Sequence, residues 1–203
     1  MNFDNLAKNW DTDRRIKRAE LISNEIQKAV CIDKNQRALE FGAGTGLISF
    51  NLHNSLKSVD LLDSSKRMIE VVEDKITTNK ISNMKTIHID IETKHKLSSK
   101  YNVIYSSMVL HHIKNVKSII SQFSEVLQDH GELCIIDLNE VDEAFHKEES
   151  DFEGHHGFNL SELEKLLMDN GFCNIKTNTF YHSIKKVESI EIPYSLFIMS
   201  AKK

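Results

Sequence analysis

A cluster of three glycines, Gly42, Gly44 and Gly46, is the feature of this sequence that most restricts its fold. The chain has 203 residues but only seven glycines and one proline, so three glycines within five positions stand out. The run Arg37–Phe41 that precedes them predicts a short buried strand, and residues 47–55 are compatible with a short helix. A glycine-rich turn between a strand and a helix lets a ligand approach the backbone closely, because no Cβ intervenes. The pattern predicts a ligand-binding turn at the end of a strand.

Strand-like runs alternate with amphipathic segments along most of the chain. The predicted strands are 37–41, 58–63, 84–90, 101–107 and 132–138. The predicted helices are 14–30, 47–55, 65–78, 116–128 and 159–170. This alternation predicts an α/β fold with a mostly parallel sheet and helices on both faces. Asp129-His130-Gly131 predicts a turn, and residues 173–184 and 190–201 predict a terminal antiparallel hairpin.

Acidic residues flank the glycine cluster in a way that restricts its ligand. Asp63 ends the next predicted strand, where a carboxylate can accept hydrogen bonds from both hydroxyls of a ribose. Glu40 directly precedes the turn, where it would repel a pyrophosphate but suits a cationic ligand. The spacing is GxGxG rather than the GxGxxG of dinucleotide-binding proteins. A degenerate match in the frame 44–49 leaves an NAD-dependent oxidoreductase as an alternative.

The segment LEFGAGTG resembles motif I of the class I S-adenosylmethionine-dependent methyltransferases. VDLLDSSKRMIE, HIDIE, YNVIYSSMVLHHIKN and GELCIIDL resemble later segments of the same family, in the same order. The resemblance implies a Rossmann-like seven-stranded, mostly parallel sheet with a C-terminal antiparallel hairpin. It also implies S-adenosyl-L-methionine as cofactor and methyl transfer as the reaction, with a non-enzymatic protein that binds this cofactor as an alternative.

The resemblance also implies which residues bind the cofactor. In the family, the residue matching Asp63 binds the ribose, the one matching Asp90 faces the adenine amino group, and the one matching Ile91 lies beside the ring. The full set implied here is Glu40, Gly42, Ala43, Gly44, Gly46, Asp63, Ser64, Met68, Asp90, Ile91 and Ser106.

Histidines supply the candidate catalytic residues. His111 and His112 follow the predicted strand 101–107, and a neutral imidazole there can take a proton from an acceptor. The alternative is that one of them only caps the next helix or bonds across the sheet edge. His155 and His156 fall in a predicted lid, 139–160, where one of them is a candidate for contacting substrate. We expect no metal, because adjacent histidines do not share one face and no cysteine or ordered carboxylate spacing joins them.

Charge and motif content favour a small-molecule methyl acceptor over nucleic acid. The net charge is −4, without a basic stripe. Methyltransferases that act on amide or amino nitrogens of macromolecules often carry an NPPY-like segment, where this chain has Ser106-Ser107-Met108-Val109. Residues 140–153 carry a local net charge of −6, which leaves +2 on the rest. This segment is either a solvated face or a cap that attracts a cationic acceptor.

The remaining sequence features indicate the number of domains, the absence of disulfides and the expected location of the protein. We expect one domain, 1–203, with an N-terminal helical cap, 1–35, in which Trp10 either anchors the helix or forms part of the wall over the methyl site. The three cysteines fit neither a disulfide framework nor a zinc site. No apolar run is long enough for a membrane span, and the N-terminus lacks a signal-peptide core. These features predict a cytoplasmic monomer or homodimer without membrane partners.

Overall fold

The structure is a computed structural model that describes residues 3–90, 99–149 and 152–203. Its strands are β1 (Arg37–Phe41), β2 (Ser58–Asp63), β3 (Met84–His88), β4 (Tyr101–Ser107), β5 (Leu127–Leu138), β6 (Cys173–Val187) and β7 (Ile190–Lys202). Its α-helices are α1 (Phe3–Leu6), α2 (Asp13–Ala29), α3 (Leu47–Leu52), α4 (Lys66–Thr78), α5 (Val116–Val126) and α6 (Leu160–Asp169). Short 3₁₀ helices cover Ala7–Asn9, His53–Ser55, Leu110–His112 and Glu143–His146.

The seven strands form one sheet in the order β3-β2-β1-β4-β5-β7-β6. The first five strands in this order are parallel, and β7 runs antiparallel to both β5 and β6. The predicted fold class is therefore confirmed. Strand order reverses direction beside β1, so the turn after β1 lies at the switch point where α/β sheets bind their ligands.

Helices cover both faces of the sheet and enclose a core on each. On one face, apolar residues of α2, α3 and α4 pack against residues such as Ala38, Val103 and Cys134. On the other, α5 and α6 pack against residues such as Leu39, Ile104 and Ile135. Because successive strand residues point to opposite faces, Glu40 and Tyr105 share the face of α2 and α3.

Several boundaries differ from the sequence prediction. The predicted turn at Asp129-His130-Gly131 lies inside β5, which begins at Leu127 and pairs with β4 across a register shift between Tyr101 and Val103. His130 has a positive φ of 64° there, so the turn signal marks an irregularity within the strand.

The hairpin is also longer than predicted. Pro193 is accommodated in β7 because pairing with β5 ends at Leu196, so at Pro193 the strand pairs only with Ile184 of β6.

Two aspartates fasten the N-terminal residues over the sheet edge. Asp4 of α1 accepts hydrogen bonds from Ser65 Oγ (2.5 Å) and Arg67 N (3.2 Å) at the start of α4. Asp11 forms an ion pair with Lys75 of α4 (2.5 Å) and accepts a hydrogen bond from Thr45 Oγ1 (2.5 Å) in the glycine turn. The N-terminal residues are thereby positioned directly over the turn after β1. Among the described residues, no helix is long and apolar enough to cross a bilayer.

Candidate functional site

The turn after β1 depends on its three glycines. Gly42, Gly44 and Gly46 have φ values of +72°, +55° and +79°, a region that favours glycine. The amides of Gly42 and Ala43 both donate to the Leu62 carbonyl, at 2.8 and 2.9 Å, which holds the turn against β2. At Gly42 a Cβ would lie 2.2 Å from Val109 Cγ2, so the close approach of the segment after β4 also requires glycine.

Asp63 lies at the end of β2, beside the glycine turn. Its Oδ2 accepts a hydrogen bond from the Gly44 amide (2.7 Å), and its Oδ1 accepts one from the Ser65 amide (2.8 Å). Burial raises the pKa of Asp63, and these amide hydrogen bonds oppose the rise. Each carboxylate oxygen retains a further lone pair, so the group is positioned to accept two more hydrogen bonds from a ligand.

Glu40 is the most strongly perturbed carboxyl group at the site. It is buried, and its Oε2 accepts hydrogen bonds from Ser49 N (3.2 Å) and from Ser49 Oγ. The Ser49 hydroxyl also lies 2.6 Å from the Tyr105 hydroxyl. Burial raises the pKa of Glu40 to about 8, and the Ser49 hydrogen bonds only partly oppose this. Without a cationic partner, the group is therefore largely protonated at neutral pH.

A cavity of about 330 Å³ lies at this edge of the sheet and brings the predicted residues together. The predicted cofactor-binding residues that line it are Glu40, Gly42, Ala43, Gly44, Asp63, Ser64, Met68 and Asp90. Ile89 also lines the cavity beside Asp90, whereas Ile91 lies outside the described residues.

Two predicted cofactor-binding residues do not line the cavity. Gly46 instead caps α3. Ser106 is buried on the opposite face of the sheet, because it neighbours Ser107 in β4 and successive side chains alternate. Its hydroxyl has no hydrogen-bond partner among the described residues. Ser107 and Met108 line the cavity in its place.

An aromatic wall lines part of the cavity, beside the glycine turn. Trp10, Phe3 and His112 all line it, with ring centroids 5.9 Å apart for Phe3–Trp10 and 5.3 Å for Phe3–His112. The indole nitrogen lies 3.7 Å from the position that a Cβ on Gly44 would take. Trp10 is therefore part of the cavity wall, and it also contacts Arg15 of α2. That the wall lies over the methyl site stays a prediction.

His111 and His112 lie side by side but face different surroundings. His112 lines the cavity, whereas His111 is buried behind it with its Nδ1 2.5 Å from Asp137 Oδ1. Asp137 Oδ2 also accepts a hydrogen bond from the His111 amide, at 3.3 Å. Burial, followed by the nearby His111, lowers the pKa of His112 to about 3. His112 is therefore a neutral ring at physiological pH.

The other candidate histidines belong to the predicted lid segment. The His155 amide donates to the His111 carbonyl (2.7 Å), and its ring nitrogen Nε2 lies 3.0 Å from the Ile113 carbonyl. His156 lies 3.2 Å from His146 through their Nδ1 atoms. Neither His155 nor His156 lines the cavity. Across residues 3–90, 99–149 and 152–203, no group of three or more metal-binding side chains is arranged to hold a metal.

Several cavity residues were missed from the sequence. Arg15 and Arg18 form part of the charged side of the amphipathic N-terminal helix, and nothing in that periodicity indicates a ligand. Thr45 lies within the recognised turn, but its contact with Asp11 joins residues 34 positions apart. The missed lining residues include Phe3, Arg15, Arg18, Thr45, Met108 and Val109.

Comparison with known proteins identifies the family to which this site belongs. A family model described as a methyltransferase domain matches residues 32–190, which include the glycine turn, Asp63 and both candidate catalytic histidines. The chain belongs to the class I S-adenosylmethionine-dependent methyltransferases. The predicted family and its cofactor, S-adenosyl-L-methionine, are confirmed, and the NAD-dependent alternative is set aside.

Relatives of this methyltransferase differ in size and in the acceptors for which they are named. It is 28% identical over 115 residues to an uncharacterised methyltransferase of Schizosaccharomyces pombe, covering 53% of this chain and 40% of that protein. It is 29% identical over 178 residues to malonyl-[acyl-carrier protein] O-methyltransferase 2 of Ilyobacter polytropus, covering 83% of this chain and 66% of that protein. The chain therefore spans less than two-thirds of the length of either relative.

A solved structure supports the methyltransferase fold. The chain superposes on Haemonchus contortus phosphoethanolamine N-methyltransferase 2, in complex with S-adenosyl-L-methionine, with a TM-score of 0.75 and 16% sequence identity. The match covers all of this chain and 60% of that one. At this identity the likeness shows a shared fold alone.

Proposed function

We propose that this chain transfers a methyl group from S-adenosyl-L-methionine to a small-molecule acceptor. The observation that carries the proposal is the cavity, which brings the glycine turn, three carboxyl groups and an aromatic wall together. The cofactor, when bound, supplies a methyl group made electrophilic by a sulfonium. The chain must align the acceptor with that methyl group and exclude water, and alignment alone is worth up to about 7–11 kcal/mol.

The residues present fit this cofactor. Asp63 is buried at the end of β2 with lone pairs available for the two ribose hydroxyls. The backbone of Gly44 is open to close approach, because among the described residues, its chain neighbours aside, only Trp10 lies within 4 Å of the position that a Cβ would take. Met68 and Ile89 supply apolar surface next to Asp90, where an adenine ring would lie. Glu40 offers a carboxyl group that a cationic ligand would stabilise in its charged form.

The state of His112 restricts its part in the reaction. With a pKa lowered to about 3, the ring is a weak base, and general-base catalysis is most effective when the pKa lies near the working pH. A neutral ring also avoids placing a positive charge beside a sulfonium. We therefore infer that His112 orients the acceptor by contact and hydrogen bonding, while His111 and Asp137 fix the turn that carries it.

The walls of the cavity support a small acceptor. Asp4 and Asp11 tie the N-terminal residues, of which Phe3 and Trp10 line the cavity, to α4 and the glycine turn. The segment containing Gly154 packs against the His111 carbonyl. The chain has a net charge of −4, which disfavours a polyanionic acceptor such as DNA or RNA. The relatives above are named for methylation at oxygen and at nitrogen, so the accepting atom has to be found by experiment.

Replacement of Asp63 tests the cofactor site. Asp63→Ala removes the acceptor for the ribose hydroxyls, and we expect the Kd for S-adenosylhomocysteine to rise by a factor corresponding to about 1–3 kcal/mol. Isothermal titration calorimetry measures this directly. Asp74→Ala, which removes an exposed carboxylate from α4, is the matched control and should bind as the wild type does. Absence of binding by the intact wild-type chain would overturn the proposal.

Turnover separates an enzyme from a protein that only binds the cofactor. Methyl transfer from isotope-labelled S-adenosyl-L-methionine should be detected with at least one member of a panel of hydroxyl, thiol and amine acceptors. Tight cofactor binding with no product from any of them would favour the non-enzymatic alternative.

A further inference from the structure

One carboxyl group of the acidic segment 140–153 is buried. Glu149 is 8% exposed. The other acidic side chains that the structure describes in this segment are exposed, namely Glu140, Asp142, Glu143, Glu148 and Glu153. Burial of a carboxyl group is costly unless the group is paired, so neither a solvated face nor a cap that attracts a cation accounts for Glu149.

Lys185 of β6 pairs with one oxygen of Glu149. Its Nζ lies 3.6 Å from Oε1 of the carboxyl group. The same Nζ donates a hydrogen bond to the Phe145 carbonyl (2.5 Å) and lies 4.3 Å from the centroid of the Phe145 ring. The second oxygen of Glu149, Oε2, is buried and has no hydrogen-bond partner among the described residues. It is therefore an unused acceptor in a place shielded from water.

This unused oxygen faces His112. Its distance from His112 Nδ1 is 4.0 Å, so a shift of about 1 Å would form a hydrogen bond. Within the part of the chain that the structure describes, no other carboxylate lies this close to the His112 ring, and Asp137 bonds to His111 instead. Hydrogen bonds of active sites are often long without substrate and shorten in the complex.

The ring of His112 is held by its neighbours. Phe3 and Phe152 meet it edge-on, with centroids at 5.3 and 5.7 Å, and the ring centroid of His111 lies at 4.1 Å. This packing restricts rotation of the ring, so Nδ1 stays towards Glu149. Nε2 is then the ring nitrogen that His112 can offer to a ligand in the cavity that it lines.

Because His112 is neutral, the position of one proton decides what the ring can do. Burial, followed by the nearby His111, lowers its pKa to about 3. A neutral imidazole donates from one nitrogen and accepts at the other. A proton on Nδ1 can be donated to Glu149 and leaves Nε2 as an acceptor. A proton on Nε2 would leave Nδ1 and Oε2 as two acceptors that face each other.

We propose that Glu149 is a positioning residue that keeps the proton of His112 on Nδ1, so that Nε2 accepts a hydrogen bond from the methyl acceptor. This proposal rests on the proposed function and narrows its substrate class. The acceptor carries an O–H or N–H group at the accepting atom, which the ring aligns. Lys185 has a part in this arrangement, because it holds the carboxyl group from the β6–β7 hairpin.

The tautomer of His112 can be observed directly. Long-range proton–nitrogen NMR spectra of the isotope-labelled chain separate protonated from unprotonated ring nitrogens, and His112→Gln identifies the signals of this ring. We expect the proton on Nδ1 in the wild type, both without ligand and saturated with S-adenosylhomocysteine. Glu149→Gln introduces an amide that can donate to Nδ1 as well as accept from it, so the proton should move largely to Nε2.

Two controls separate this effect from a general loss of structure. His111 Nδ1 lies 2.5 Å from Asp137 Oδ1, so the His111 signals should not change in Glu149→Gln. Glu148→Gln, at an exposed position of the same segment, should leave the His112 tautomer as in the wild type. An equal change at His111, or the same change in Glu148→Gln, would contradict a specific role for Glu149.

A proton on Nε2 of wild-type His112 would overturn the proposal, and so would an unchanged tautomer in Glu149→Gln. The first result needs no Glu149 variant, so it applies even if that variant fails to fold. Failure of the wild type to bind S-adenosylhomocysteine would instead count against the proposed function. In that event, a proton on Nδ1 that moves in Glu149→Gln would still support the role of Glu149 in the ligand-free chain.

Kinetics tests the acceptor side of the proposal. For a hydroxyl or amine acceptor that the wild type methylates, Glu149→Gln should raise the KM about 10-fold, the effect of one hydrogen bond. The Kd for S-adenosylhomocysteine should change less than about twofold. A tertiary amine or thioether offers no hydrogen, so its KM should not rise. An equal rise for both kinds of acceptor, or none for either, would overturn the hydrogen bond from Nε2.

Discussion

Asp137→Ala is expected to lower the free energy of unfolding by about 3–5 kcal/mol, the loss typical of removing one partner of a buried polar pair. Asp137 is fully buried, and three donors depend on its carboxyl group. These are the His111 ring at 2.5 Å, the His111 amide at 3.3 Å and the Leu138 amide at 2.8 Å. Alanine leaves all three without a partner in a site that water does not reach.

Urea denaturation measures the change, and the same strand offers a matched control. Asp129→Ala removes an exposed aspartate from β5, and we expect it to change stability by less than about 0.5 kcal/mol. A loss below about 1 kcal/mol for Asp137→Ala would show that the His111 network contributes little to the fold.

The same carboxyl group also positions the site. His111 holds the Leu110–His112 turn in place through three contacts. Its ring and its amide bond to Asp137, and its carbonyl accepts a hydrogen bond from the His155 amide. His112 enters the cavity from this turn. Asp137→Asn keeps one acceptor oxygen, so this variant should be more stable than Asp137→Ala. It should nevertheless position His112 less well than the wild type does. We therefore expect the KM for the acceptor to rise more than the Kd for the cofactor.

Local pattern predicted the part of the site that is local in sequence. The strand, the glycine turn and the following helix are consecutive, so Gly42, Ala43 and Gly44 reach the cavity wherever the sheet places them. Asp63 was predictable for a similar reason, because the ends of neighbouring parallel strands meet at one edge. The three positive φ values at the glycines are a direct consequence of this turn.

The choice between neighbouring strand residues could not be made from the same pattern. Ser106 and Ser107 have identical side chains at the end of β4, and a shift of one residue exchanges the face of the sheet on which each lies. The structure places Ser106 on the face covered by α5 and Ser107 in the cavity. Composition contains no information about that choice, which depends on where the strand enters the sheet.

Contacts between distant segments could not be predicted from the sequence either. Asp137 joins His111 across 26 residues, and Asp11 joins Thr45 across 34. In both cases the partner of the polar side chain is set by the packing of the folded chain, and nothing in the local sequence indicates it. The arginines of α2 belong to the same class, since helical periodicity separates a charged side from an apolar side but does not show which charges meet a cavity.

Glu40→Gln is expected to make the ligand-free protein more stable at alkaline pH than the wild type. The pKa of Glu40 is raised to about 8 from 4.5 by burial, so the folded state keeps a proton that the unfolded state has lost. The contribution of this group to the free energy of unfolding is therefore fully present below pH 4.5. It is lost as the pH rises towards 8, by an amount on the order of a few kcal/mol. Asp63 raises this pKa further, and Lys75 lowers it.

The difference in unfolding free energy between wild type and Glu40→Gln isolates the effect from other titrating groups. We expect the wild type to lose stability relative to the variant between pH 5 and pH 8.5. Glu164→Gln, at an exposed position on α6, should show no such trend. A difference that stays constant over this range would mean that Glu40 is charged in the ligand-free fold.

Proton release on cofactor binding follows from the same carboxyl group and distinguishes a cationic from an anionic ligand. A sulfonium or ammonium group placed near Glu40 stabilises the carboxylate and lowers its pKa, so binding at pH 7 should release up to about one proton. Calorimetry of S-adenosyl-L-methionine in buffers of different ionisation enthalpy measures this number. Glu40→Gln should abolish the release and weaken binding. An anionic pyrophosphate would shift the pKa upwards instead, so proton uptake by the wild type would contradict a cationic ligand at this position.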